Sequence, residues 1–484
     1  MVPLVAATVM LVTAAAVVGV LVTGQGGQRA VASSPPVAPS ASPGVPSASF
    51  GSVSGSPAAQ DPTSAGMGGS SSAPPGGASP MRIAVVDERG ALSTLVDRGG
   101  SMVSYAVPGV AFGSPVWSPD GSRIAAVGQG PDGASIYVFA AGRPASGGAA
   151  RPVVVYRDPD HPPFYLYWTP DGRTLSFLAN EPDGFSLRVA PADGSGPVDG
   201  SGPGAIIRQG APLYFAWQGA ERLLLHVGSG SGAFVGEVGL DGASVAPAAV
   251  GPGEFRAASS SRDGTYSAYV RQGAGSTGEI VIAPRGGTGG HALPVFGPAA
   301  FLFDPTGDSL ASIAADEPGA GTPPFPLGPL RLIDARSGAV RTLLDGSVIG
   351  FFWAPNGRTI AALRVAPRVD QTADTGPVPA RTVSARPAAA AAALPGLELR
   401  LDFVEVALGI VRSERDVRLG SQFVNQLLPF FDQYALSHRL WSPDSSSIVL
   451  PLVDSTGRTR LVILPADGTD SVPIADGVSG FWSP

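Results

Sequence analysis

No lysine and no cysteine occurs anywhere in the 484 residues, and each absence removes a class of chemistry. All 31 basic side chains are arginine, so a phosphate-gripping P-loop lysine, a Schiff base and a lysine general base are excluded. Without cysteine there are no disulfides, thiolate zinc sites, cysteine nucleophiles or lipid-modified N-terminal cysteine. Charge is also sparse: 14% of positions are charged, and 38 acidic against 31 basic groups leave a net −7. That balance lacks the basic footprint that releases counterions from phosphate, so nucleic acid is not an expected partner. What is abundant is Gly, at 66, and Pro, at 49. This composition points away from helical bundles and toward many short strands joined by turns.

Residues 1–24 contain the uncharged run Pro3 to Thr23, PLVAATVMLVTAAAVVGVLVT. About 20 such residues match the hydrocarbon thickness of a bilayer when helical, so residues 3–23 read as one transmembrane anchor. The alternative is a cleaved signal peptide, for which Ala30-Val31-Ala32 offers a peptidase site, although no basic residue precedes the apolar core. Residues 25–80 are dominated by Ser, Pro, Gly and Ala and hold too few large apolar groups to offset chain entropy, so they read as a disordered linker.

From residue 81 one pattern recurs. It reads VWSPDGSRIAAVG around Trp117, YWTPDGRTLSFLA around Trp168, FWAPNGRTIAALRV around Trp353 and LWSPDSSSIVLPLV around Trp441, with weaker copies at Trp217, Ser260 and Phe303. A truncated copy, Phe481-Trp482-Ser483-Pro484, stands at the end. Successive intervals of 51, 49, 43, 43, 50, 88 and 41 residues fit four-stranded propeller blades, except for the one long step. Each copy makes sense as strand, tight turn, strand. Pro fixes φ, Asp120, Asp171 or Asp444 accepts bonds from nearby amides, and Gly121, Gly172 or Gly357 takes the positive φ that reverses the chain. The missing strands of the last copy lie at the start, in the segments beginning at Met81, Leu92 and Met102. The C-terminal strand is therefore expected to pair with them and close the ring, covering edges otherwise free to pair with other chains. The expected fold is all-β, an eight-bladed propeller over 81–484, with seven blades as the alternative count.

The repeated Trp-Ser-Pro-Asp-Gly followed by a short apolar strand resembles the PD40, WD40-like repeat of TolB-like β-propellers. The resemblance implies a propeller outside the cytoplasm that binds other proteins. In TolB an α/β domain precedes the propeller, and here a membrane span and a disordered linker are expected in that place.

Signals for chemistry are weak. Gly128 to Gly133 fits GxGxxG, but a strand follows where a dinucleotide site needs a helix, so it reads as a hairpin loop. No GxSxG elbow occurs. The four histidines, His161, His226, His291 and His438, fall in different units without metal-pair spacing, and neither a metal nor a cofactor is expected. Loop accounting puts the Asp-Gly turns on one face with Arg123, Arg173 and Arg358. The other face receives Asp158, Asp160, His161, Glu181, Asp183, Asp316 and Glu317, an acidic rim suited to a basic partner or a cation. The long interval holds a low-complexity loop, 366–396, and a richer stretch, 419–440. The latter is expected to form a short helix that plugs the channel. Alternatively, Asp432, Gln433, Tyr434 and His438 form a recognition site, since anchoring aromatics beside hydrogen-bonding groups are what interfaces use.

The function expected is that of a single-span protein of the bacterial cytoplasmic membrane, its propeller extracytoplasmic, binding or scaffolding another protein of the cell envelope. Alternatives are a propeller enzyme, such as a metal-assisted polysaccharide lyase or hydrolase, and a sensor or accessory subunit of an envelope or transport complex.

Overall fold

The computed structural model describes residues 81–96, 101–142, 151–198, 206–219, 221–244, 253–272, 278–285, 289–317, 325–366 and 399–484. The anchor expected in 1–24, the linker expected in 25–80 and, apart from its first residue, the 366–396 insertion lie outside these. Among the described residues no helix is long and apolar enough to cross a membrane.

Short antiparallel strands dominate, arranged as the repeat dictates. The Trp117 unit forms a four-stranded sheet from Ala111–Trp117, Arg123–Gly130, Gly133–Ala140 and Val153–Arg157. The Trp168 unit does the same from Pro163–Trp168 to Ile206–Gly210. The Trp217 unit departs from the template, with three described strands and an isolated bridge between Val238 and Ser244. The next three units share one ten-stranded sheet, because His291–Phe303 and Val340–Trp353 each leave one unit as its last strand and enter the next as its first. In the Trp441 unit the first strand shrinks to a bridge between Trp441 and Ile448.

The two ends of the ring meet. Ser479–Trp482 pairs antiparallel with Arg82–Val86, Ile83 opposite Trp482, and Leu92–Val96 and Met102–Tyr105 complete a four-stranded sheet. Arg82 and Ser483 add two further bonds, one through each backbone N–H. The fold is an all-β propeller.

Five of the six head tryptophans also tie their unit to the one before, whereas the buried indole N–H of Trp482 has no partner among the described residues. The indole N–H of Trp117 donates to the Phe481 carbonyl at 2.9 Å, that of Trp168 to Val116 at 3.1 Å, and that of Trp441 to Phe352 at 3.0 Å. Trp217 reaches the same kind of acceptor through a relay, donating to Ser176 Oγ, which donates to the Tyr167 carbonyl. In the turn after Trp117, Ser118 donates to Asp120 at 2.6 Å, and with the Ser122 amide this holds the carboxyl down at about 2. Gly121 and Gly172 take φ of 67° and 70°, and where the repeat has Ser445 instead, that residue is forced to φ 62°.

Candidate functional site

Two groups of residues singled out by the sequence come together, at different depths. The first is on the rim. The crossover after Val153–Arg157 brings His161 between two carboxylates, Nδ1 at 2.8 Å from Asp158 and Nε2 at 3.1 Å from Glu181. Glu181 also pairs with Arg188 at 2.9 Å, and Arg188 lies over the Tyr156 ring while donating to Ser186. The Tyr156 hydroxyl closes the circuit by donating to the His161 carbonyl. Burial pushes the Asp158 and Glu181 carboxyls up, but hydrogen bonds from His161 and the Asp160 amide to the first, and from Ser186 and Arg188 to the second, outweigh it and hold both below their ordinary values. With both ring nitrogens engaged, His161 joins the crossover to the hairpin at Glu181 rather than offering a lone pair.

Arginine partners reduce the net charge of the acidic rim without removing it. Glu181 is neutralised by Arg188, and Asp316 by Arg331, so of the expected carboxylates Asp160, Asp183 and Glu317 are left exposed among the described residues. The arginines responsible lie in strands, where their direction was set by pleat and packing rather than by loop position.

The second group fills the centre of the ring. Residues 423–434 coil as three short turns, Phe423–Leu427, Leu428–Phe430 and Phe431–Tyr434. Phe431 packs edge-on to Phe351 at 5.2 Å, Leu428 sits against Gly350, and Tyr434 meets Tyr165 at 5.4 Å. The Tyr165 hydroxyl donates to the Gln433 carbonyl at 2.7 Å. The His438 ring lies 4.7 Å from Phe481. One segment thus touches the innermost strands of the Trp168, Trp353 and Trp482 units, which is the plug expected of it.

Its polar groups are buried among aromatics. Asp432 is 7% exposed, and burial, opposed by Arg256, pushes its carboxyl up to about 7. Burial takes His438 down to about 3 and His226 to about 4. His226 is held by Nδ1 at the Arg256 carbonyl, His438 by Nδ1 at Ser437, and Nε2 of each has no partner among the described residues. His161, His226 and His438 keep separate partners, and among the described residues no group of three metal-ligating side chains forms. Sequence reasoning missed Tyr165, Tyr214 and Arg256. The run Phe-Tyr-Leu-Tyr-Trp at 164–168, apolar without alternation, was the available signal for a strand lining an occupied channel.

No family model matches the chain, and no curated protein does. Among solved structures it is similar to a eukaryotic initiation factor, at 11% identity and TM-score 0.51, covering 84% of this chain and 99% of that one. It is also similar to NirN, a dihydro-heme d1 dehydrogenase, at 11% identity and TM-score 0.47, covering 83% of this chain and 74% of that one. A third similarity is to TolB from Acinetobacter baumannii, at 18% identity and TM-score 0.33, covering 54% of this chain and 65% of that one. At these identities the likeness to the initiation factor is one of fold.

Proposed function

We propose that this chain is an eight-bladed, TolB-like propeller held outside the cytoplasmic membrane by residues 3–23, and that it binds or scaffolds another protein of the cell envelope. The count takes three blades from the ten-stranded sheet, four from the Trp117, Trp168, Trp217 and Trp441 units, and one from the paired ends. The observation that carries the reading is the filled channel. With residues 423–438 occupying the centre, the groups left for a partner on that face are the rim loops, including exposed Asp160 and Asp183. Surfaces of this kind, rigidly held and loop-built, are where propellers recognise other molecules.

Because the chain has no cysteine, single cysteines at Asp160 and Asp183 give unique crosslinking sites in native membranes. A protein captured from both positions and not from Arg173→Cys on the turn face supports the reading. Capture of nothing at either position, or a propeller protected from external protease in intact cells, overturns it.

A further inference from the structure

Between the Trp441 unit and the sheet made by the paired ends lies a cavity of about 220 Å³, lined by Glu88, Gly420, Ser421, Gln422, Thr459 and Val478. Four separate stretches of chain build it. Glu88 is in the hairpin that joins Arg82–Val86 to Leu92–Val96, Ser421 and Gln422 precede the first plug turn, Thr459 opens the strand Thr459–Pro465, and Val478 leads into Ser479–Trp482. The Glu88 hairpin joins the second and third strands of its sheet, as the hairpin of Asp183 does in the Trp168 unit, so the cavity is on the face of the rim loops.

Backbone bonds hold its walls. The Val478 amide donates to the Val86 carbonyl at 2.9 Å, and the Gly420 amide to the Pro451 carbonyl at 2.8 Å. Glycine is required at 420 for a close approach, because a Cβ there would lie 2.8 Å from Thr459 Cγ2. Walls fixed in this way lose little freedom when a ligand enters.

The polar side chains around the cavity are ones the fold does not use. Among the described residues the Glu88 carboxylate has no ion pair, and the side chains of Glu88, Ser421, Gln422 and Thr459 make no hydrogen bond. Groups close by in sequence are engaged elsewhere. Asp87 accepts the amides of Arg89 and Ala91, Asp454 those of Thr456 and Arg458, and Asp476 pairs with both Arg458 and Arg460. Among the described residues Glu88 is therefore the one charged group in the lining.

The lining offers a carboxylate, an amide oxygen and two hydroxyls as acceptors, with Val478 as an apolar wall. That set complements a cation bearing several donors on an aliphatic stem, an ammonium or a guanidinium. The volume falls below the roughly 300–1,000 Å³ of sites that enclose a drug-sized ligand, and it suits a single side chain.

We propose that this cavity binds the ammonium or guanidinium group of a basic side chain, with Glu88 as its counter-ion and Ser421, Gln422 and Thr459 as further acceptors. The group recognised follows from the lining alone. Its carrier, the envelope partner and not a free amine, rests on the function proposed above.

The test is saturation-transfer NMR of the purified full chain at low ionic strength, with Nα-acetyl-arginine amide and Nα-acetyl-lysine amide as probes and Nα-acetyl-citrulline amide as the uncharged isostere. Saturable binding of at least one charged probe, weakened by salt, is expected. Loss of the probe's charge, or Glu88→Gln, should each weaken binding by about tenfold or more, the loss expected for a charge-assisted hydrogen bond. Asp132→Asn, at an exposed hairpin acid of the Trp117 unit, should leave it unchanged. Glu88 is exposed, so Glu88→Gln should melt with the parent, and lost binding then reports the cavity and not unfolding. No saturable binding, equal binding of the citrulline probe, or binding that survives Glu88→Gln overturns the proposal. Crosslinking from Asp160→Cys and Asp183→Cys separates the carriers. Capture that falls with Glu88→Gln assigns the cation to the partner, whereas unchanged capture alongside lost probe binding overturns that carrier in favour of a free amine. Probe binding with no capture at all would overturn the envelope partner and leave the chemistry of the cavity standing.

Discussion

The rim knot and the channel plug both combine carboxyl, imidazole and phenol groups, yet they handle charge in opposite ways. On the rim, Asp158, His161, Glu181 and Arg188 form a chain of close polar contacts, with an ion pair between Arg188 and Glu181, and both carboxyls are held below their ordinary values. In the channel, Asp432 is raised to about 7, His226 and His438 are lowered to about 4 and 3, and the Nε2 atoms of both histidines have no partner among the described residues. The difference follows from solvent. The rim keeps ions because partners and water compensate them, whereas the channel keeps the neutral forms because aromatic burial penalises charge. Binding and pH response are thereby assigned to different regions.

The sharpest way to break this contrast is to empty the plug. Phe431 is 1% exposed between Phe351 and Phe352, so Phe431→Ala should lower unfolding free energy by about 3–5 kcal/mol in denaturant titrations. A loss below about 1 kcal/mol would mean that the segment does not pack the channel.

The next effect is pH-dependent. Because the Asp432 carboxyl is raised from 3.8 to about 7, the stability gained from its bound proton is complete below about pH 4 and lost as pH rises through 7. The groups facing it, Arg256 and Tyr214, keep their charge states across that window. Asp432→Asn should therefore match the parent near pH 4 and exceed it near pH 8 by roughly 2–4 kcal/mol. The two histidines act in the opposite direction, since their lowered values withdraw stability as pH falls below about 6.5. A parent and Asp432→Asn variant with parallel pH profiles would contradict the assignment.

The smallest effect belongs to the rim. The side chain of His161 is 28% exposed, and its pairs are screened by water and salt, so His161→Ala should cost no more than about 1 kcal/mol and less at high salt. Chemical denaturation at two salt concentrations checks it.

Much of this was legible in the sequence because the repeat states its own physics. The Pro, Asp and Gly of each turn impose local geometry, and all six tryptophans head repeat units at the expected intervals, so the ring follows without long-range knowledge. Loop accounting likewise brought Asp158, His161 and Glu181 to one place. Pairing between distant segments left no local mark. Arg256 and Asp432 lie in different units, Arg331 compensates Asp316 from a strand, and none of these belongs to a periodic pattern. The merging of three units into one sheet was hidden too, since the bends within its long strands fall at Gly297 and Gly346, at φ 77° and 97°, outside the repeated motif.

Every assignment of a loop to a face depends on the ring being closed by Ser479–Trp482 against Arg82–Val86. The most direct measurement is thermal unfolding of a chain lacking residues 479–484, alone and with the peptide Ser-Gly-Phe-Trp-Ser-Pro added back. Trp482 is fully buried, so the shortened chain should melt far below the parent and recover in part as the peptide is titrated in. A shortened chain that melts with the parent, indifferent to the peptide, would contradict closure.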